Sequence, residues 1–317
     1  MNIGIDISAA LGGPSGLRTY LVNFLGALAK LETPDRFFLC AYFWGGFPER
    51  ALRAGLPEAA NFELHLRRLP QSLLYPLEQG LGVGLQERLM APLRLDVFHG
   101  TGAVLPRLRH LPSVLTIHHV APVEPGVSLW DRFYFGRVAE RSIEQATLIT
   151  SISESTRRDL IDDYGVAPER VRTIYYGGAS PLFHPRRGGE DLSVLGLRAP
   201  FYLFVSAVNP RKNLLVLARA FARLRALKAG PRQLVFVGRQ DPAYYRLLRA
   251  ELERLDVLGD AVFLARMETE ELRSLYQQAE AMVYPSTMEG FGLPVIEAMA
   301  CGTTVVAARA TCLPEIG

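Results

Sequence analysis

Two glutamates stand eight residues apart around a pair of glycines in Glu289-Gly290-Phe291-Gly292-Leu293-Pro294-Val295-Ile296-Glu297. An apolar run of strand length precedes them, and Pro294 suits the first position of a following helix. A loop of this composition brings the backbone N–H groups of Gly290, Phe291, Gly292 and Leu293 close to a ligand, and the helix aims its positive end at the same place. That is chemistry for an anion. Glu289 and Glu297 add carboxylates that accept from hydroxyls, so a ligand carrying both phosphate and hydroxyl groups, such as a sugar nucleotide, fits. The plain alternative is a tight turn and a helix whose glutamate faces water.

A second segment, Val208-Asn209-Pro210-Arg211-Lys212-Asn213-Leu214, also runs from a strand through a loop into a helix. Arg211 offers a planar fork and Lys212 a compact charge, a pairing suited to a diphosphate. Cations at a helix start oppose its dipole, which implies an anionic partner; two solvated charges are the alternative. Lys212 is also one of only three lysines, with Lys30 and Lys228.

In the first half, Gly12, Gly13 and Gly16 lie between an opening strand and a helix. They lack G-x-G-x-x-G spacing, which argues against a dinucleotide dehydrogenase. Thr116-Ile117-His118-His119 ends a strand, which makes His118 a ligand candidate; His99 ends the preceding strand and is the weaker one. The glycines Gly80, Gly82 and Gly84 sit in a Leu-rich stretch and read as irregular structure.

Strand-length apolar runs alternate with helix-period segments almost throughout, the pattern of parallel sheets with crossover helices. Strands are expected near Ile3–Ile7, Phe37–Phe43, Phe62–Leu66, Val97–His99, Val114–His118, Leu148–Ser151 and Val171–Tyr175, with a helix over Leu17–Leu31. Ser153 is a plausible N-cap. A polar Gly/Pro stretch, His184–Asp191, separates this half from a second series: strands Phe201–Val205, Leu234–Val237, Ala261–Leu264, Ala281–Tyr284 and Thr304–Ala307 with helices between them. The expected fold is α/β, two Rossmann-like domains over residues 1–185 and 186–317, facing across a cleft. Ligands bind beyond the carboxyl ends of such strands, where the residues above lie.

The chain has 317 residues and a formal charge of 35 − 32 = +3, too little for a nucleic-acid footprint. Cys40, Cys301 and Cys312 form no metal or disulfide pattern and read as buried hydrophobes of a reducing cytosol. The N-terminus enters a strand directly and no uncharged run is long enough to span a membrane, so a cytoplasmic protein is expected. Between Arg50 and Arg109, eight arginines against five acidic residues accompany Leu73, Leu74, Tyr75 and Leu77. An ordinary domain surface is the favoured account; peripheral contact with an anionic inner leaflet is the other.

In combination these segments resemble the retaining GT-B glycosyltransferases of family 4 (glycosyl transferases group 1). Glu289 to Glu297 resembles their E-x7-E signature, Asn209–Leu214 their E-P-R-K-N-L segment, and Ser151–Leu160 and Ile174–Pro185 two further stretches. The resemblance implies that the second domain binds a nucleotide sugar and the first a glycan or lipid-linked acceptor. Glu297 would hold the donor ribose, while Glu289 with the Gly290–Leu293 backbone would hold the sugar. Arg211 and Lys212 would neutralise the leaving diphosphate. His118 would approach the sugar from the first domain, and Gly12, Gly13 and Gly16 would lie beside the phosphate and acceptor. The activity implied is transfer of a hexose, mannose or glucose, from a GDP- or UDP-sugar in cell-surface polysaccharide assembly, with no metal or cofactor. A related epimerase or a nucleotide-binding module without turnover are the alternatives. Three departures stand out: Ser206 and Gly177 replace the family's usual Gly and Asn, and the chain stops at Gly317, where members continue. The resemblance therefore implies a truncated form.

Overall fold

Alternate residues of the second strand leave it in opposite directions: Phe37, Leu39 and Ala41 pack with Ile5, Ile7 and Leu21, whereas Phe38 and Cys40 pack with Phe98, Leu115 and Ile149. A strand buried on both faces has to be apolar at nearly every position, and that is why it reads as an unbroken run. Fully burying a side chain such as Leu39 contributes about 2–3 kcal/mol. The computed structural model describes residues 1–11, 15–43, 55–69, 71–120, 136–185, 191–265 and 267–317.

Two compact units result, Met1–Tyr176 and Gly177–Gly317. The first is built on a parallel sheet of β1 (Asn2–Asp6), β2 (Arg36–Tyr42), β3 (Phe62–Arg67), β4 (Val97–Gly100), β5 (Ser113–Ile117), β6 (Leu148–Ser151) and β7 (Val171–Thr173), in the order β3-β2-β1-β4-β5-β6-β7. The second holds β8 (Phe201–Val205), β9 (Leu234–Val237), β10 (Ala261–Leu264), β11 (Ala279–Tyr284) and β12 (Val305–Ala307), in the order β10-β9-β8-β11-β12, also parallel. Both orders reverse beside their first strand. Ligand crevices of open α/β sheets open at that reversal, here between β1 and β4 and between β8 and β11.

The boundary between units falls after Tyr176 rather than after Pro185. Phe183 packs into the second core with Phe201, Leu217 and Tyr276, so the stretch 177–185 belongs to the second unit. The helix Gln71–Leu81 replaces the irregular structure expected around Gly80, and Gly84 precedes a second helix, Leu85–Met90. Leu74 and Tyr75 are buried in it, whereas Leu73, Leu77 and Leu81, spaced four apart on one face, are exposed. No helix among the described residues is long and apolar enough to cross a membrane.

Ser153 caps the helix Glu154–Asp162 by accepting from the Thr156 N–H. The helix expected over Leu17–Leu31 runs Gly16–Leu28, capped by Ser15. The one after the second glycine loop runs Leu293–Ala300, which places Pro294 at its second rather than its first position. All three cysteines are buried and free.

Candidate functional site

The reversal between β8 and β11 places two loops side by side, residues 206–213 and 285–292. They are fastened through one carbonyl: Arg211 O accepts from Thr287 N–H at 2.9 Å, from the Thr287 hydroxyl at 3.1 Å and from the Ser286 hydroxyl at 3.2 Å. Pro210–Lys212 forms a 3-10 turn, and Asn213 takes a left-handed conformation (φ 54°), which asparagine tolerates better than most residues. The helix Leu214–Ala226 starts there, its Leu214 N–H donating to the Tyr244 hydroxyl at 3.0 Å.

That turn drives the Lys212 side chain inward, to 7% exposure. Its ammonium donates to the Tyr284 hydroxyl at 3.1 Å, lies 5.2 Å from the centre of the Tyr284 ring, and pairs with the Glu289 carboxylate. Burial lowers the Lys212 pKa and the Glu289 charge pulls it back up, with a net downward shift. The Arg211 guanidinium, by contrast, makes no ion pair among the described residues. A cation held inside and a second one left open fit a ligand that enters with more negative charge than Glu289 alone supplies.

Glu289 is gripped at its backbone too. Its N–H donates to the Thr311 hydroxyl at 3.1 Å, and its carbonyl accepts from Cys312 Sγ at 3.3 Å. Thr311 does this at φ 46°, costly for a β-branched residue. Gly292 has φ 93°, and an added Cβ would lie 2.9 Å from Ile316 Cδ1 and 3.0 Å from Leu313 Cδ2. The left-handed φ is what calls for glycine there, because the tips of Ile316 and Leu313 can shift. The Phe291 side chain is buried, at 5% exposure.

Glu297 lies one turn into the helix and accepts from the Tyr276 hydroxyl at 3.1 Å. Burial raises its pKa, and the tyrosine bond partly offsets that. Glu289, Lys212, Arg211, Gly290, Phe291, Gly292, Leu293 and Glu297 therefore all lie at the β8/β11 reversal. Tyr284, Tyr276 and Thr311 join them without a motif to announce them. Among the described residues no group of three or more His, Cys, Asp and Glu is arranged for a metal ion.

In the first unit, Gly12 and Gly13 lie outside the described residues. Gly16 opens its helix, and a Cβ added there meets nothing within 4 Å, so the geometry does not demand glycine. His118 follows β5, with its Nε2 2.7 Å from the carbonyl oxygen of Thr101 and its Nδ1 against the Tyr176 hydroxyl. A carbonyl can only accept, so Nε2 carries the hydrogen and Nδ1 accepts from the phenol. Tyr20 stacks on Tyr176 at 4.7 Å and meets the His118 ring edge-on at 4.8 Å. Both ring nitrogens of this ligand candidate are thus engaged within the unit. His99 is tied instead into a chain, its Nε2 2.7 Å from the Thr116 hydroxyl, which lies 2.8 Å from that of Thr150.

Burial depresses both imidazoles to about 4, with a smaller contribution from a neighbouring histidine. The unfolded rings take up protons near pH 6.5 and the folded ones resist to about 4, so the unfolded state binds more protons in between. Stability supplied by these rings is complete above pH 6.5 and is lost as the pH falls towards 4. Thermal melting between pH 7 and 4 should show a steeper acid loss in the native chain than in His118→Asn.

Two parallel α/β units, each with its strand order reversing beside the first strand, make this a GT-B fold of paired Rossmann-like domains. Solved structures share it across the chain. Anabaena HepE in complex with UDP and glucose is 21% identical with a TM-score of 0.71, and sucrose-phosphate synthase from Thermosynechococcus elongatus is 20% identical with a TM-score of 0.74. Each likeness covers 99% of this chain and 82% of the other. The chain belongs to glycosyltransferase family 4: the description "Glycosyltransferase Family 4" matches residues 14–177, and "Glycosyl transferases group 1" matches residues 193–316.

Among curated relatives, the MMP alpha-(1->4)-mannosyltransferase of Mycolicibacterium hassiacum is 32% identical over 237 residues, 70% of this chain and 55% of the relative. The O-antigen chain mannosyltransferase B of Escherichia coli is 31% identical over 229 residues, 69% of this chain and 58% of the relative. The chain thus spans little more than half the length of these two. The O-antigen chain mannosyltransferase RfbU of Salmonella typhimurium is 25% identical over 95% of this chain and 80% of its own length.

Proposed function

We propose that this chain is a retaining hexosyltransferase that moves a hexose, mannose or glucose, from a GDP- or UDP-sugar to a glycan or lipid-linked acceptor in cell-surface polysaccharide assembly. The observation that carries the reading is the buried Lys212 ammonium held between Glu289 and Tyr284, with Arg211 open beside it. Departure of a nucleoside diphosphate builds negative charge on its terminal phosphate, and fixed cations there stabilise the transition state. The mannosyltransferase names of the relatives support a hexose donor, and the UDP and glucose bound by HepE support a nucleoside diphosphate.

In this reading the diphosphate draws Lys212 from Glu289, which frees that carboxylate to accept from sugar hydroxyls. The N–H groups of Gly290–Leu293 and the helix end meet the anion, and Glu297 accepts from the ribose. Arg211 and Lys212 supply the positive charge that a metal would otherwise bring, so chelators should leave transfer intact. A role for His118 in transfer requires its ring to give up the bond to Thr101 or Tyr176. Retention follows from attack on the face the diphosphate leaves, and the anomeric configuration of the product tests it. A cytoplasmic site of action is part of the proposal. The exposed Leu73, Leu77 and Leu81 support contact with the inner leaflet, which co-sedimentation with anionic vesicles would test.

Calorimetric titration with UDP, GDP and ADP in the presence of EDTA tests the donor site. One of the three should bind at micromolar strength, and Glu297→Ala should weaken it about tenfold or more, as expected for losing hydrogen bonds to a charged acceptor. Absence of binding by the folded chain would overturn the reading.

A further inference from the structure

Tyr276 looks like an ordinary core residue. It lies in the helix Thr269–Gln278, is 0% exposed, and packs against Phe183 edge-to-face with ring centres 5.9 Å apart. Its carbonyl accepts from the Thr303 hydroxyl at 2.7 Å, so backbone and ring are both anchored. What distinguishes it is the direction of its hydroxyl, which donates to Glu297 Oε2 at 3.1 Å across 21 residues of sequence. Glu297 Oε1 has no partner among the described residues.

A glutamate on a helix can swing through several rotamers. Here one oxygen is pinned by a group that cannot itself move, and the other is left as the acceptor. We propose that Tyr276 is a positioning residue that fixes the Glu297 carboxylate so that its free oxygen selects a ribose over a deoxyribose. The proposal rests on the reading that Glu297 meets the donor ribose. The physics is that of a site built to bond a hydroxyl: an analogue lacking the hydroxyl covers the carboxylate oxygen without pairing it, which is a larger loss than a missing apolar contact. If the carboxylate can swing, that discrimination fades, because part of the ribose bond is then spent on ordering the side chain, a cost that the analogue does not incur. The same tyrosine bond also favours the ionised carboxylate against the effect of burial, so it keeps the acceptor an acceptor.

The test compares Tyr276→Phe with the native chain by titration with UDP and GDP and with their 2′,3′-dideoxy counterparts. The native chain should prefer the ribose form of its nucleotide by about 10²-fold. Tyr276→Phe keeps the ring and should shrink that preference about tenfold, the loss coming from the ribose nucleotide while affinity for the dideoxy form stays unchanged. The dideoxy affinity doubles as the control for folding. The remaining preference should also disappear at a higher pH in the variant, because Glu297 loses the bond that opposed its raised pKa. An unchanged preference overturns the proposal, and so does an equal weakening of both nucleotides, the signature of a purely structural tyrosine. A native chain that binds the two forms equally would overturn the ribose assignment of Glu297 first and this proposal with it. That outcome is distinct from a selective native chain whose variant stays selective.

Discussion

Lys212→Ala should lower sugar transfer by about 10²–10³-fold, the loss usually seen when one transition-state charge donor is removed. It should also destabilise the chain. Lys212 and Glu289 side chains are 9% and 12% exposed, so removing the ammonium leaves a carboxylate buried without its counterion, at a cost of about 3 kcal/mol. The two effects can be separated. In Lys212→Ala with Glu289→Gln the orphaned charge is gone, so the melting temperature should recover much of the loss while transfer stays low. Radiolabelled sugar transfer and thermal melting of native chain, single and double variants give the answer. Native-like transfer in Lys212→Ala would show that the leaving group does not depend on this cation.

Gly238→Ala should destabilise the second unit by about 2–5 kcal/mol. Gly238 follows β9 with φ 137°, a conformation side chains rarely adopt. A Cβ there would lie 2.3 Å from the carbonyl oxygen of Ser206 and 2.7 Å from its carbonyl carbon. Both are backbone atoms, so no rotamer change relieves the clash; the strand end at Val205 has to move. Ser206 opens the loop that carries Arg211 and Lys212, so nucleotide binding should weaken together with the melting temperature. The sequence marks Ser206 as a departure from the family's usual glycine, and its own backbone takes no left-handed conformation. The glycine that this close approach needs is Gly238, just past the neighbouring strand. A normal melt and normal titration of Gly238→Ala would show that the loop tolerates displacement.

Much of the fold is legible because parallel strands are buried on both faces. Phe201–Val205 and Leu234–Val237 are continuous apolar runs between turn residues, as is the partly buried edge run Ala261–Leu264, and all three are strands with those bounds. Gln71–Leu81 is not legible in that way: it contains a proline and a glycine, and its exposed face is leucine, so polarity does not mark its outer side. The loop residues of the site announce themselves by glycine and charge. The residues that hold them do not. Tyr276 and Tyr284 sit at apolar positions of a helix and a strand, where periodicity reports burial and says nothing about where a hydroxyl points. The tie from His118 to Tyr176 spans 58 residues and depends on the sheet bringing their segments together. It commits a ring that spacing alone leaves open.

The burial of Cys40, Cys301 and Cys312, at 1%, 4% and 0% exposure, has a practical consequence. Burial pushes their thiols up to about 12, 11 and 12, so at neutral pH almost none is thiolate, the form that reacts with maleimides. An introduced cysteine at an exposed position such as Leu31 in the first unit or Val194 in the second would take up a dye on the native background, with no cysteine removed. One such thiol in each unit turns the chain into a fluorescence ruler for how the two halves respond to a nucleotide.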